Sequence, residues 1–437
     1  MKYLLIYSFC LLQLACSAQK SGKHGATETT LPAAERVGEY LPLLKGRKVG
    51  IFANQTSLVG KSHLVDTLRK LGVNVTVIFG PEHGFRGTAD AGEKLASYTD
   101  KKTGIPVISL YGSKKKPSEK DLANVDVLLF DIQDVGVRYY TYISSLQDFM
   151  EAAFMAGKPL IVLDRPNPNG FYVDGPVMES SKYGSFIGRQ DIPAVYGMTI
   201  GEYAWMLIGE KWLSAEANAR VESWNKKTSR AGSWLFRVIP CAGYDHHTKY
   251  VLPVRPSPNL PDMQSVYLFP STCFFEGTVF SEGRGTSRPF QLVGHPLMPN
   301  TMYAFTPNPN EGAKNSKLYG QVCYGWDLGG STEEVLEKTD NRIQLRWLIE
   351  AYKLFPEKDS FFILPTSGKM EDSFFDKLAG NNELWMQVKK GVPEQKIRES
   401  WQPRLDNFKK IRKKYLMYTD FDNEAPALKP GRELISS

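Results

Sequence analysis

Short runs in the first half of the chain are apolar almost without interruption, and polar turns or helical stretches separate them. They are Lys48–Ala53 (KVGIFA), Val75–Phe79 (VTVIF), Val107–Leu110, Val125–Phe130 (VDVLLF) and Leu160–Leu163 (LIVL). A strand with one wet face alternates apolar and polar residues, whereas a continuous apolar strand must be covered on both faces. The stretches His63–Leu71 and Tyr140–Ala156 have the helical spacing to supply that cover. The pattern predicts an α/β fold with a doubly wound, Rossmann-like parallel sheet in the N-terminal half. A helix around Ile200–Leu213 and a strand-like segment near Ala219–Trp224 are expected to finish this unit.

A length of 437 residues exceeds what one ordinary core organises and implies two domains. Beyond Trp224 the texture changes: Pro and Gly punctuate 240–309, with short aromatic runs at Val266–Phe269 and Cys273–Phe275 that read as strands. Helical patterns return at Glu333–Tyr352 and Leu384–Tyr415. The expected division is 33–224 for the Rossmann-like domain and 225–437 for an α+β domain that completes a cleft.

The N-terminus reads as an export signal. Lys2 precedes an apolar run from Tyr3 to Ala15, and Cys16, Ser17 and Ala18 follow as small residues. Residues 1–18 are expected to be this signal and 19–32 a flexible, polar leader. Cleavage after Ala18 would release a soluble protein to the periplasm or exterior. Lipidation of Cys16 would instead give a membrane-anchored lipoprotein, but Gln13 stands where a strict lipoprotein box has an aliphatic or small residue, which favours soluble release. No later stretch is long and apolar enough for a transmembrane helix. Outside the signal, Cys241, Cys273 and Cys323 are an odd number without CxxC pairing, compatible with one disulfide or with buried thiols.

Several chemistries are excluded by missing motifs. Asn54-Gln55-Thr56-Ser57 follows the first strand where a dinucleotide site has GxGxxG, so no dinucleotide cofactor is expected. Neither GxSxG nor HExxH occurs, and adjacent His246 and His247 cannot share one helix face, so neither a serine nucleophile nor a metal is expected. The net charge of +7 is spread along the chain; clusters such as Lys114–Lys116 read as solvated basic faces, without a nucleic-acid-binding signature.

In open parallel sheets, ligands bind beyond the carboxyl ends of the strands. There the sequence repeatedly places polar, Gly/Pro-shaped loops: Asn54-Gln55-Thr56, then 80–87 (GPEHGFRG), 131–138 (DIQDVGVR) and 164–170 (DRPNPNG). Glu82 is the first-choice catalytic residue, since a glycine-bounded turn can hold a carboxyl in a cleft and partial desolvation suits it to protonate a leaving oxygen. A loop-stabilising glutamate is the plainer alternative. Asp131 could be a second carboxylate, or could pair with Arg138 or Arg165 to fix the loops. Asn54, His83, Arg86, Gln133, Arg138 and Asn167 are candidate binding residues, and Arg165 suits a substrate carboxylate because the guanidinium fork binds it bidentately. From the second domain, Asn259, Glu276, Glu282, Arg284 and Arg288 could face the same cleft, with Glu276 completing a two-carboxylate site.

Taken together, GPEHGFRG, FDIQDVGVRYYTYISSL at Phe130–Leu146, LDRPNPNG at Leu163–Gly170, RPSPNLPD at Arg255–Asp262 and FFEGTVFSEGRGTSRPF at Phe274–Phe290 resemble the exo-β-N-acetylmuramidase (NamZ) family, glycoside hydrolase family 171. The resemblance runs from about Arg36 to the C-terminus. It implies substrate bound between the two domains and release of terminal N-acetylmuramic acid (MurNAc) from peptidoglycan fragments, with Glu82 as the catalytic glutamate and no cofactor. Its substrate's lactyl carboxylate and acetamido group would give Arg165, Arg284 or Arg288 and Asn167 something to hold. A muropeptide-binding protein and a cell-wall amidase or esterase are the competing readings.

Overall fold

The computed structural model describes residues 29–82, 84–86, 96–227, 234–369, 372–423, 425–428 and 433–435. The expected export signal and most of the expected leader lie outside them. The leader's last residues are pinned rather than free: Leu31 exchanges backbone hydrogen bonds with Ala242 at 2.8 and 2.9 Å.

The first half forms strands β1 (Lys48–Ala53), β2 (Asn74–Gly80), β3 (Tyr98–Thr99), β4 (Pro106–Ser109), β5 (Val127–Asp131), β6 (Leu160–Leu163) and β7 (Trp234–Ile239). The second half contributes β8 (Leu292–His295), β9 (Tyr303–Phe305) and β10 (Cys323–Asp327), which make a three-stranded sheet in the order β8-β10-β9. The last strand, β11 (Glu433–Ile435), returns to the first sheet, whose order is β11-β7-β6-β5-β1-β2-β4-β3. The strands β7, β6, β5, β1, β2 and β4 pair in parallel, and the two edge strands are antiparallel. Numbered along the chain, the parallel strands run 3-2-1-4-5-6, the order of a doubly wound sheet.

Alternate residues of the strands feed two cores. Val49, Ile51, Ile78, Val127 and Leu129 face a cluster built with Tyr40 of α1 (Val37–Leu44) and Leu64 and Leu68 of α2 (Leu64–Lys70). Phe52, Phe79, Leu128 and Phe130 face the other side, under α3 (Tyr142–Met155). There Phe149 packs its ring 5.0 Å from Phe52 and 5.4 Å from Phe79. That second cluster continues through Phe236 to Phe274 and Phe375, so the two halves share one core.

Several expected elements need correction. Ala219–Trp224 lies in a helix, α4 (Ala215–Lys227), where Ala217, Val221 and Trp224 recur at helical spacing on the packed side. Val266–Phe269 belongs to α5 (Met263–Thr272), and Cys273–Phe275 to a single 3-10 turn, Cys273–Gly277. Asp262 starts α5 by accepting the Ser265 N–H at 2.8 Å. Most of the helix is buried, so it lacks the polar face that would have revealed its period. Beyond residue 225, β7 is an integral strand of the first sheet. The long helical patterns each divide. Asp340 and Asn341, at φ of 47° and 49°, separate Thr332–Thr339 from Leu345–Leu354. Gly391 at φ 66° and Pro393 separate Glu383–Lys389 from Glu394–Lys413.

Candidate active site

A cavity of about 380 Å³ lies between the carboxyl edge of the first sheet and the loops of the second half. Cavities of this size suit a small ligand. The sheet edge contributes Glu82 after β2, Tyr111 and Lys115 after β4, and Tyr139, Tyr140 and Tyr142 at the entrance to α3. From the second half come Asn259, Cys273, Glu276 and Arg284.

Glu82 is half-buried in the turn Pro81–Gly84, which closes with a 2.9 Å hydrogen bond from the Gly84 N–H to the Pro81 carbonyl. Gly84 takes φ 76°, a conformation that favours glycine. The Tyr111 hydroxyl donates to the Glu82 carboxylate. Burial, reinforced by the Glu82 charge, pushes the Tyr111 pKa up, so the phenol stays a donor. Tyr142 stands close enough to feel the same carboxylate. Its hydroxyl accepts from Asn54 Nδ2 at 3.0 Å. The Asn54 amide cannot turn round, because its Oδ1 accepts from the Thr56 N–H at 2.9 Å and hydroxyl at 2.6 Å. The Tyr142 O–H is therefore directed away from Asn54.

On the opposite wall Glu276 sits on the 3-10 turn and pairs with Arg284 Nη2 at 2.7 Å. Arg284 also meets Glu282, 3.4 Å from its Nε, and lies over the Phe290 ring. Burial opposes the Arg284 charge, but Glu276 and Glu282 outweigh it and raise the guanidinium above the usual arginine range. Lys317 holds Glu282 from behind at 2.9 Å and donates to the carbonyls of Phe275 and Thr278 at 2.8 and 3.0 Å. The turn that carries Glu276 is thus tied at both ends. Cys241, Cys273 and Cys323 are buried free thiols, and burial pushes the Cys273 thiol far up.

Of the residues picked out from the sequence, Glu82, Asn259, Glu276 and Arg284 line this cavity. Asn54 and Glu282 stand one contact behind it, through Tyr142 and Arg284. The rest are engaged elsewhere. Asp131 is fully buried, and both its oxygens bind Arg165, at 2.6 and 2.9 Å, which removes Asp131 from catalysis and Arg165 from substrate. Gln133 donates to the carbonyls of Asp134 and Pro166, and Asn167 to that of Met198, all within the folded loops. Arg138 is enclosed and donates to the carbonyls of Lys377 and Leu378. Arg86 is bound to Asp100, beside a separate groove on the other side of the turn, and Arg288 to Asp327. His83 lies outside the described residues. The sequence reading does not reach Tyr111, Lys115 or Tyr139, and Tyr140 and Tyr142 enter it only as the start of a helix.

The family models of the exo-β-N-acetylmuramidase NamZ match this chain in both parts, the N-terminal model over residues 49–264 and the C-terminal model over 267–418. The chain belongs to the NamZ family. A curated member, the peptidoglycan β-N-acetylmuramidase NamZ of Bacillus subtilis, is 37% identical over 92% of this chain and 93% of its own. A DUF1343 family protein from Bacteroides fragilis of known crystal structure superimposes with a TM-score of 0.77 and 41% identity, covering 90% of this chain and 100% of that one. A second Bacteroides fragilis DUF1343 structure has a TM-score of 0.71 and 27% identity, over 89% and 99% of the two chains. Both NamZ family models thus contribute walls of the cavity: the first supplies Glu82, the second Glu276 and Arg284.

Proposed function

We propose that this protein is an exo-acting glycosidase that releases terminal MurNAc from the non-reducing ends of peptidoglycan fragments. The observation that carries the reading is the pair of carboxylates, Glu82 and Glu276, delivered to one cavity from the two parts of a NamZ chain. Glycoside hydrolysis requires a proton for the departing oxygen and stabilisation or attack at the anomeric carbon. Glu82 is the acid in this reading, its carboxyl fixed by the Tyr111 hydroxyl. Glu276, aimed by Arg284, serves the other face of the sugar as base or nucleophile, or orients the acetamido group of MurNAc as it assists. The apolar run 3–15 after Lys2 supports export to the compartment where such substrates occur.

The test is incubation of residues 19–437 with MurNAc-β-1,4-GlcNAc, with products followed by mass spectrometry beside Glu82→Gln. Free MurNAc and GlcNAc from the wild type alone are expected. Equal cleavage by both would remove Glu82 as the acid. Binding of the disaccharide without cleavage by the wild type would replace the glycosidase with a muropeptide-binding protein.

A further inference from the structure

A MurNAc subsite must hold a carboxylate that a GlcNAc subsite does not meet, and the arginines expected to do so are already committed. Arg165 is bound to Asp131, Arg288 to Asp327, and Arg284 to Glu276 and Glu282. Lys115 is different. It is the middle member of the run Lys114–Lys116, whose outer members are pinned outward by ion pairs, Lys114 to Asp121 at 2.5 Å and Lys116 to Glu151 at 3.0 Å. Lys115 turns the other way and lines the cavity beside Glu82 and Tyr111. Its Nζ lies 3.8 Å from the centroid of the Phe186 ring and 4.7 Å from that of Tyr111. Among the described residues it makes no hydrogen bond and no ion pair, so none of its three N–H donors is spent on them.

An ammonium held over two aromatic faces has given up part of its hydration and gains more from a charge-assisted bond than a solvated lysine does. Burial lowers the Lys115 pKa, against the pull of Glu82 and Asp148, as expected for a partly dehydrated cation. Resting on the reading of this cavity as the MurNAc subsite, we propose that Lys115 binds the lactyl carboxylate and thereby selects MurNAc-terminated over GlcNAc-terminated chains.

The experiment crosses the enzyme charge with the substrate charge. Wild type, Lys115→Met and Lys115→Arg are assayed on MurNAc-β-1,4-GlcNAc and on the same disaccharide with its lactyl carboxylate converted to the neutral carboxamide. Wild type is expected to lose about 10- to 100-fold in kcat/KM on the carboxamide, the range of one charge-assisted hydrogen bond. Lys115→Met is expected to show the same loss on the acid substrate and to match wild type within about threefold on the carboxamide, while Lys115→Arg recovers most of the acid-substrate rate. An equal loss on both substrates would overturn the proposal, because Lys115 would then act through Glu82. No loss on either would overturn it as well. Failure of the wild type on MurNAc-β-1,4-GlcNAc itself would sink the underlying glycosidase reading, and shows before any variant is compared.

Discussion

Asp131→Asn separates a structural carboxylate from a catalytic one. Asp131 ends β5 with no exposed surface, and its two oxygens take Arg165 Nε and Nη2 at 2.6 and 2.9 Å. Arg165 is only 3% exposed, so water cannot replace the lost partner. Burial works against both charges, yet Asp131 more than offsets it at Arg165 and holds that guanidinium above the usual arginine range. The amide of asparagine is neutral and offers one acceptor where the carboxylate offered two. Removing one member of a buried pair typically costs about 3–5 kcal/mol, because the other charge remains without compensation. Total stabilities are about 5–15 kcal/mol, so this is a large fraction of the fold's margin. With a urea slope of about 3–5 kcal/mol/M, the unfolding midpoint should fall by about 1 M. The assay is urea unfolding followed by tryptophan fluorescence, with activity on MurNAc-β-1,4-GlcNAc measured per folded molecule. The variant should unfold early and retain most of its turnover below the transition. A variant as stable as wild type but inactive would refute the argument and return Asp131 to the chemistry.

Other perturbations bear on the remaining contacts. His63 is buried and accepts the Val65 N–H at Nδ1, so its Nε2 carries the proton donated to the Asn54 carbonyl at 2.8 Å. Burial lowers its pKa from 6.5 to about 4, so between those values the unfolded chain binds the extra proton and stability falls as pH falls. Wild type should therefore lose up to about 3 kcal/mol relative to His63→Gln between pH 6.5 and 4. A pH-independent difference between their urea midpoints would contradict this. Tyr142→Phe should lower kcat about tenfold and, by orphaning Asn54 Nδ2, cost about 1–3 kcal/mol. An unchanged kcat would remove that hydroxyl from the site. Lys317→Met frees Glu282 and the turn carrying Glu276, so kcat should fall while KM for the disaccharide changes little. A KM effect alone would point to direct binding by Lys317.

The fold was legible where burial is complete on both faces. Strands β1 and β6 have the bounds their apolar runs suggest, since a strand covered on both sides admits polar residues only at its ends. The same rule misled at Val266–Phe269, because a helix enclosed on most sides is also a continuous apolar run. For the site, Glu82 and Glu276 line one cavity, the first after a strand in a glycine-bounded turn and the second just before Gly277. Arg165 reads from the sequence both as a substrate clamp and as a partner for Asp131, and the second holds; a guanidinium after a strand has the same local sequence whether it faces a cavity or a carboxylate 34 residues away. Lys115 was concealed by its neighbours: in a run of three lysines, nothing local tells which two find ion pairs and which one turns inward. The tyrosines at 139, 140 and 142 carried a signal that could have been used, since aromatic hydroxyls gathered at a helix entrance beyond a strand have both an apolar body and a polar tip to present to a sugar.

The cavity lies away from the point at which a sheet with the 3-2-1-4-5-6 order usually opens. In such sheets the crevice opens where neighbouring strands run in opposite chain directions from the centre, here between β1 and β5. That crevice is closed in this protein. Ser57 donates to the Asp131 carbonyl, the Gln133 N–H donates to Thr56, and Arg165 spans from Asp131 to the Leu58 carbonyl. The residues that looked like ligand contacts from the sequence are the stitches of that closure. With the central crevice sewn shut, the open edge lies beyond β2 and β4, where Glu82 and Tyr111 emerge, and the second half must supply the missing wall. The closure also fixes Asn54, and through it the Tyr142 hydroxyl, so the network that closes the crevice holds one side of the cavity rigid. Rigid placement of groups before substrate arrives is what catalysis by positioned carboxylates and hydroxyls requires.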